Sequence, residues 1–128
     1  MTWKGRSYKN YILYSMVSIE TVRELALSFP ETDEYPHFHL TAFRVRKKIF
    51  CTIHEKDNRL MVKLSPVDQS VFCAFDKTII YPVPGGWGKK GATFIELSKV
   101  KKAMLKDALT VAYSTTAPAK LAEKFLPK

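Results

Sequence analysis

The sequence has few cysteines and no long apolar run. Its two cysteines, Cys51 and Cys73, lack the Cys-x-x-Cys spacing of zinc and redox sites. A secreted disulfide scaffold carries more cysteines, so the composition favours a reducing cytoplasm. No apolar run approaches the ~20 residues of a membrane helix, and no signal peptide is recognisable. These absences exclude disulfide scaffolds and membrane-spanning helices, and they predict no membrane partner.

Motifs of catalysis and cofactor binding are missing as well. The three histidines, His37, His39 and His54, form no His-Glu-x-x-His pattern. The glycine-rich segment 85–91 has no Gly-Lys-Ser/Thr before a helix, so it is not a P-loop. No Ser-His-Asp set or Cys-His pair stands in a recognisable context. The sequence therefore predicts a protein that is not an enzyme, with no cofactor, no metal site and no identifiable small-molecule ligand.

Acidic residues are scarce relative to basic ones. The 128 residues include 21 Lys and Arg but only 12 Asp and Glu, which gives a net charge of +9. The length and the 46% apolar fraction are typical of one folded, soluble domain. A positive balance suits polyanionic partners such as nucleic acid, although it also simply keeps a domain soluble.

The first fifteen residues differ in composition from the rest. They contain Lys4, Arg6 and Lys9 and no acidic residue. Met16 begins a segment that resembles the natural start of a protein. Residues 1–15 are interpreted as an N-terminal extension, within which residues 11–14 could form an edge strand. Residues 16–128 are then a single domain.

Helix and strand signals alternate along that domain. Ser18 is a good N-cap for a first helix, which Pro30 ends, and a polar turn follows at residues 31–34. Ser65 and Pro66 open a second helix, and Ser98 is predicted to cap a third. A short terminal helix follows Pro118. The predicted strands are residues 41–45, 48–53, 59–64, 78–83 and 92–97.

The resulting order is helix, three strands, helix, two strands, helix, with a short extra C-terminal helix. Strands joined by short charged turns pair antiparallel. The sequence therefore predicts an α+β domain with a single antiparallel sheet and helices on one face.

Several phrases, in this order and spacing, resemble the MmcQ/YjbR family of small bacterial proteins over residues 16–125. They are RELALSFPET at 23–32, FRV at 43–45, KIF at 48–50, VKLS at 62–65, PV at 82–83, WG at 87–88 and APAKL at 117–121. The resemblance implies a two-layer sandwich of order αβββαββα, related to a secretion-chaperone-like fold. It also implies DNA binding, which has been proposed for family members through two wings of paired hairpins.

The first candidate wing is the basic segment of the first hairpin. Arg44 and Arg46 would share a face of one strand, and Lys47 and Lys48 would lie at the hairpin tip. Four cations at one tip could contact phosphates. The alternative is a solvated edge strand, whose Lys and Arg side chains block aggregation.

The second candidate wing is the loop at residues 85–91. Lys89 and Lys90 supply charge, and Trp87 could stack on a base or anchor the loop. Because large aromatic side chains are more often buried, packing of Trp87 on the core is favoured.

These observations predict a cytoplasmic DNA-binding protein with weak or no sequence specificity, which contacts phosphates through two basic wings. No helix carries an obvious set of base-reading side chains. The alternative is a protein- or small-ligand-binding module of the same fold without a nucleic-acid role. That alternative predicts an apolar patch or pocket beside Trp87 and scattered lysines.

Overall fold

A computed structural model describes residues 17–125 as five helices and six strands; the proposed extension at residues 1–15 lies outside them. The helices are α1 (Ile19–Leu27), α2 (Pro66–Phe75), α3 (Gly86–Lys89), α4 (Lys102–Thr116) and α5 (Ala119–Ala122). The strands are β1 (Thr32–His37), β2 (Leu40–Val45), β3 (Lys48–His54), β4 (Arg59–Lys63), β5 (Ile80–Pro82) and β6 (Ala92–Glu96). A 3-10 turn at Glu55–Asp57 joins β3 to β4.

Two of the predicted helix starts are confirmed, and the third is wrong. The hydroxyls of Ser18 and Ser65 accept hydrogen bonds from the backbone N–H groups of Thr21 and Asp68, as N-caps do. Helix α4 begins at Lys102 rather than after Ser98. The N–H groups of Lys99 and Val100 donate to the carbonyl of Glu96, so residues 97–99 form a separate turn before the helix. No helix in the described range is long and apolar enough to cross a membrane.

The six strands form one antiparallel sheet in the order β1-β2-β3-β4-β6-β5. Val45 is paired with Lys48 across the β2–β3 turn, and Lys63 is paired with Ala92 between β4 and β6. The β2–β3 turn, the end of β4 and the start of β6 therefore lie at the same end of the sheet.

The strand β1 was not expected, because residues 31–34 were predicted to be a polar turn. Its central residues 33–36 are all exposed, so it lacks the alternating apolar pattern that marks a strand in a sequence. It nevertheless pairs with β2 along its whole length. The predicted α+β fold with an antiparallel sheet is confirmed, and β1 adds an edge strand to it.

The core lies between the sheet and the helices, and Tyr113 of α4 is its largest fully buried side chain. Its ring stacks on Phe29 with centroids 4.7 Å apart and meets the edge of Phe50 at 5.7 Å. Its hydroxyl donates a 2.8 Å hydrogen bond to the carbonyl of Pro30. This cluster fixes α4 against β3 and against the end of the first helix segment.

Both cysteines are free and buried. Cys51 belongs to β3 and faces the core, and Cys73 belongs to α2. Burial raises the pKa of each thiol above its ordinary value. They are packed as small apolar side chains.

Candidate nucleic-acid interface

The β2–β3 hairpin closes through a tight two-residue turn. Arg46 and Lys47 have positive φ angles of 48° and 70°, as the twist of a two-residue hairpin requires. The side chains of Lys47 and Lys48 are exposed at this tip. The predicted hairpin tip therefore exists, and it displays two lysines.

The two arginines of the predicted first wing are not free, in contrast to the expectation of four available cations. Arg44 binds both carboxylate oxygens of Asp33 at 3.0 and 2.7 Å, and it covers the ring of Tyr35 at 3.9 Å. Arg46 binds both oxygens of Glu31 at 2.7 and 3.1 Å. Hydrogen bonds from the guanidinium groups lower the pKa values of both carboxyls. Two of the four cations of this wing, Arg44 and Arg46, are thus neutralised by acids in β1 or next to it.

The glycine-rich segment forms the short helix α3 rather than an irregular loop. A Cβ atom on Gly88 would lie 1.7 Å from the carbonyl oxygen of Val83, so this residue has to be glycine where α3 contacts the chain after β5. Gly91 has a φ of 115°, and a Cβ there would lie 1.8 Å from the carbonyl oxygen of Leu64. These two contacts fix the backbone that carries Lys89 and Lys90.

Trp87 is 70% exposed, so the expectation that it packs on the core is wrong. The neighbouring Gly88 makes the close contact with Val83, and most of the surface of the Trp87 side chain is left in solvent. The ammonium group of Lys90 lies 5.9 Å from the centre of the indole ring, within cation–π range. Trp87 and Lys90 are thus displayed together.

Five exposed lysines from three parts of the chain lie at one end of the sheet, which we call the lysine end. Its members are Lys47, Lys48, Lys63, Lys89 and Lys90. Two strand spacings, about 10 Å, separate β3 from β6. Lys63 was not among the predicted site residues, although the antiparallel β3–β4 pair places the end of β4 beside the start of β3. No ion pair within residues 17–125 involves a lysine.

The face of the sheet opposite the core, which we call the open face, contains a groove of about 340 Å³ beside Trp87. The alternative function predicted from the sequence expects an apolar patch or pocket beside Trp87, but it named no lining residue other than Trp87 itself. Its lining is mainly apolar: Leu40, Ile49, Met61, Val83, Ala92 and Phe94, together with His37, Thr52, His54, Lys63 and Trp87. Strand alternation places Thr52, Met61 and Phe94 side by side on neighbouring strands. The open face therefore continues directly into the lysine end.

A network of polar side chains lies at the end of the groove that is farther from the lysine end. The guanidinium of Arg59 covers the ring of Phe94 at 3.8 Å and donates a 3.1 Å hydrogen bond to the hydroxyl of Tyr81. That hydroxyl in turn donates to the carboxylate of Glu96. The nearby ring of His54 is bonded to the hydroxyl of Thr52 at 3.0 Å. Burial, and then the charge of Arg59, lower the pKa of His54.

The lowered pKa of His54 predicts a specific pH dependence of stability. As the pH falls below 6.5, the unfolded chain takes up a proton on this residue before the folded protein does. We expect the free energy of unfolding of the wild type to fall on acidification towards the folded pKa, and to fall less in a His54→Gln variant. Urea denaturation at a series of pH values measures both curves. Parallel curves for the wild type and His54→Gln would show that the pKa of His54 is not lowered in the folded protein.

Within residues 17–125 no three His, Cys, Asp or Glu residues are grouped so that they could hold a metal ion. His37 lines the groove and His39 the hollow beside it, each together with His54, but no third ligand joins either pair among the described residues, and Cys51 faces the core. The chemistry available at the site is therefore that of cations, aromatic rings and a few neutral hydrogen-bonding groups.

Comparisons with other proteins agree with this architecture. The crystal structure of Deinococcus radiodurans protein DR2400, a DUF419 domain, superposes with a TM-score of 0.70 over 88% of this chain and 91% of that one. At 17% identity this likeness shows the fold. No curated protein matches the sequence significantly. The YjbR family model matches residues 27–115, which are most of the chain. The chain therefore belongs to the YjbR family.

Proposed function

We propose that the protein binds nucleic acid through its phosphates, with weak or no sequence specificity, and that the lysine end is the contact surface. The observation that supports this most is the lysine end itself, where five exposed lysines have no ion-pair partner within residues 17–125. The arginines at the same end are paired with Asp33 of β1 and with Glu31 immediately before β1. The proposal therefore rests on Lys47 and Lys48 in the first wing, and not on Arg44 and Arg46.

The spacing of these lysines suits a phosphate backbone. The ends of β3 and β6, next to which Lys47 and Lys48 on one side and Lys89 and Lys90 on the other lie, are about 10 Å apart, which corresponds to about three nucleotides at ~3.4 Å of axis each. Lysine acts on phosphate as a point charge without base preference, unlike a bidentate arginine. Contacts of this kind position a protein on nucleic acid without reading its sequence.

Removing single lysines tests the proposal. We expect Lys47→Ala and Lys89→Ala each to weaken binding to every sequence alike and to reduce the slope of log K against log salt by about 1, because each removes one phosphate contact. Fluorescence anisotropy of labelled oligonucleotides at several salt concentrations measures both quantities. Lys106→Ala is the matched control, since Lys106 is an exposed lysine of α4 on the opposite layer.

Two results would contradict this proposal. Folded wild-type protein that binds no nucleic acid at low salt would exclude it. Equal slopes for Lys47→Ala, Lys89→Ala, Lys106→Ala and the wild type would exclude the lysine end as the contact surface.

A second candidate function is binding of a protein segment or small ligand in the groove on the open face. The observation that favours it is the apolar lining beside the exposed Trp87, at a volume near the lower limit of small-molecule sites. Binding of this kind would be largely independent of salt, because it rests on apolar contact rather than counterion release. Salt dependence therefore separates the two candidates.

A further inference from the structure

The groove on the open face exposes an aromatic ring on which the bases of a duplex cannot stack. Trp87 is 70% exposed on one side of it, and the floor contains Met61 and the nearly buried Phe94. In a duplex, neighbouring bases cover each other's faces, so only base edges and phosphates are accessible. A base in a single strand exposes its ring face and can stack on an aromatic side chain.

The backbone around Trp87 is held in place before any ligand arrives. The carbonyl of Trp87 accepts a 3.1 Å hydrogen bond from the N–H of Lys90, and Gly88 is pressed against the carbonyl of Val83. A large exposed aromatic ring on a fixed backbone is suited to stacking, because the backbone does not have to become ordered when a base packs on the ring.

The groove also contains groups that can bond to the edge of a base. The hydroxyl of Thr52 and Nε2 of His54 are 3.0 Å apart on the floor, and Thr52 is only 3% exposed. No other hydrogen bond of the His54 ring occurs within residues 17–125, so Nδ1 is available to a ligand. A mainly apolar lining with a small number of polar groups is typical of a site that binds and orients a planar ring.

Charge indicates how a strand would run across the site. Lys63 lines the groove itself and Lys90 lies beside Trp87, so cations border the groove on the side of the lysine end. Beyond His54, a wider hollow of about 610 Å³ is bordered by Glu55, Lys56 and Asp57, and Asp57 is paired with Arg59. The excess of unpaired positive charge therefore lies on the first side, where phosphates are favoured.

We infer that the groove beside Trp87 is a base-binding site, and that single-stranded nucleic acid is the substrate class of this protein. One base lies on the indole of Trp87 with its edge towards Thr52 and His54, and the flanking phosphates lie on Lys63 and Lys90. This inference rests on the proposed function, since it requires the lysine end to contact phosphates.

The test compares a short oligothymidylate, a random duplex and thymidine monophosphate. The chain has two tryptophans, so a Trp3→Phe background leaves Trp87 as the only indole. We expect the oligothymidylate to quench the fluorescence of Trp87 and to bind more tightly than the duplex.

Trp87→Ala should weaken single-strand binding, measured by anisotropy, about 5- to 150-fold and leave duplex binding unchanged. Phe75→Ala is the matched control, because Phe75 is an aromatic residue of α2 that is 69% exposed.

Each outcome separates the inference from the proposed function. Equal binding of single strand and duplex, with no effect of Trp87→Ala, would overturn the base site and leave phosphate binding intact. Thymidine monophosphate that binds as tightly as the oligomer would overturn the substrate class, because the groove would then hold a free nucleotide. No binding of any probe at low salt would remove the proposed function and with it the inference.

Discussion

Replacing Gly91 with alanine is expected to destabilise the protein by about 3–5 kcal/mol, because two separate costs add at this residue. Its φ of 115° is a conformation that L side chains rarely adopt, and the new Cβ would lie 1.8 Å from the carbonyl oxygen of Leu64. The obstacle is backbone, so it can move only if β4 moves. That movement would disturb the 3.2 Å hydrogen bond from the N–H of Leu64 to the carbonyl of Gly91.

Gly86→Ala is the control for this prediction. A Cβ on Gly86 meets no atom within 4 Å, and its φ is not in the positive region. We expect its unfolding midpoint in urea to match the wild type or to rise slightly, since alanine restricts the unfolded chain. Equal midpoints for Gly91→Ala and Gly86→Ala would show that the contact with Leu64 is not tight.

Tyr113→Ala is expected to cost a similar amount, about 3–5 kcal/mol, for a different reason. The substitution empties the centre of the aromatic cluster, where Tyr113 contacts Phe29, Phe50 and Phe125 and has no exposed surface. Tyr113→Phe keeps the ring and removes only the hydrogen bond to the carbonyl of Pro30, so it should cost about 1 kcal/mol. Urea denaturation of both variants measures the difference.

Tyr35→Ala serves as the comparison for the loss of a tyrosine from the surface. Tyr35 is 43% exposed on β1 and contacts the guanidinium of Arg44. We expect a cost of about 1 kcal/mol or less. If Tyr113→Ala were no more destabilising than Tyr35→Ala, the aromatic cluster would not be the main connection between α4 and the sheet.

Those parts of the fold that depend on local signals could be predicted from the sequence. Helix α2 begins where Ser65, Pro66 and Asp68 predict it. Ser65 caps the helix, Pro66 has a fixed φ angle and Asp68 places an acid in the first turn, and all three effects are local to one turn of backbone. Helix α3 was not predicted, since four glycines have low intrinsic helix propensity and the contact of Gly88 with Val83 is a tertiary one. Strand β1 has no apolar face, so periodicity could not reveal it.

The candidate site was predicted in part for the same reasons. Lys47, Lys48, Lys89 and Lys90 were recognised from their charge and lie at one end of the sheet. The neutralisation of Arg44 and Arg46 depends on acids 11 and 15 positions away, one on the strand that was not predicted and one immediately before it. The groove depends on which face the helices leave uncovered, and this is decided by packing of the whole chain rather than by any local pattern.

The state of the two cysteines has a practical consequence for labelling. Only the thiolate reacts with maleimides, and burial both raises the pKa values of Cys51 and Cys73 and shields their sulfur atoms. A new cysteine at an exposed position such as Lys47 would therefore be the fastest-reacting thiol of the native protein. Fluorophores or crosslinkers can thus be attached at the lysine end without first replacing the two native cysteines of the core.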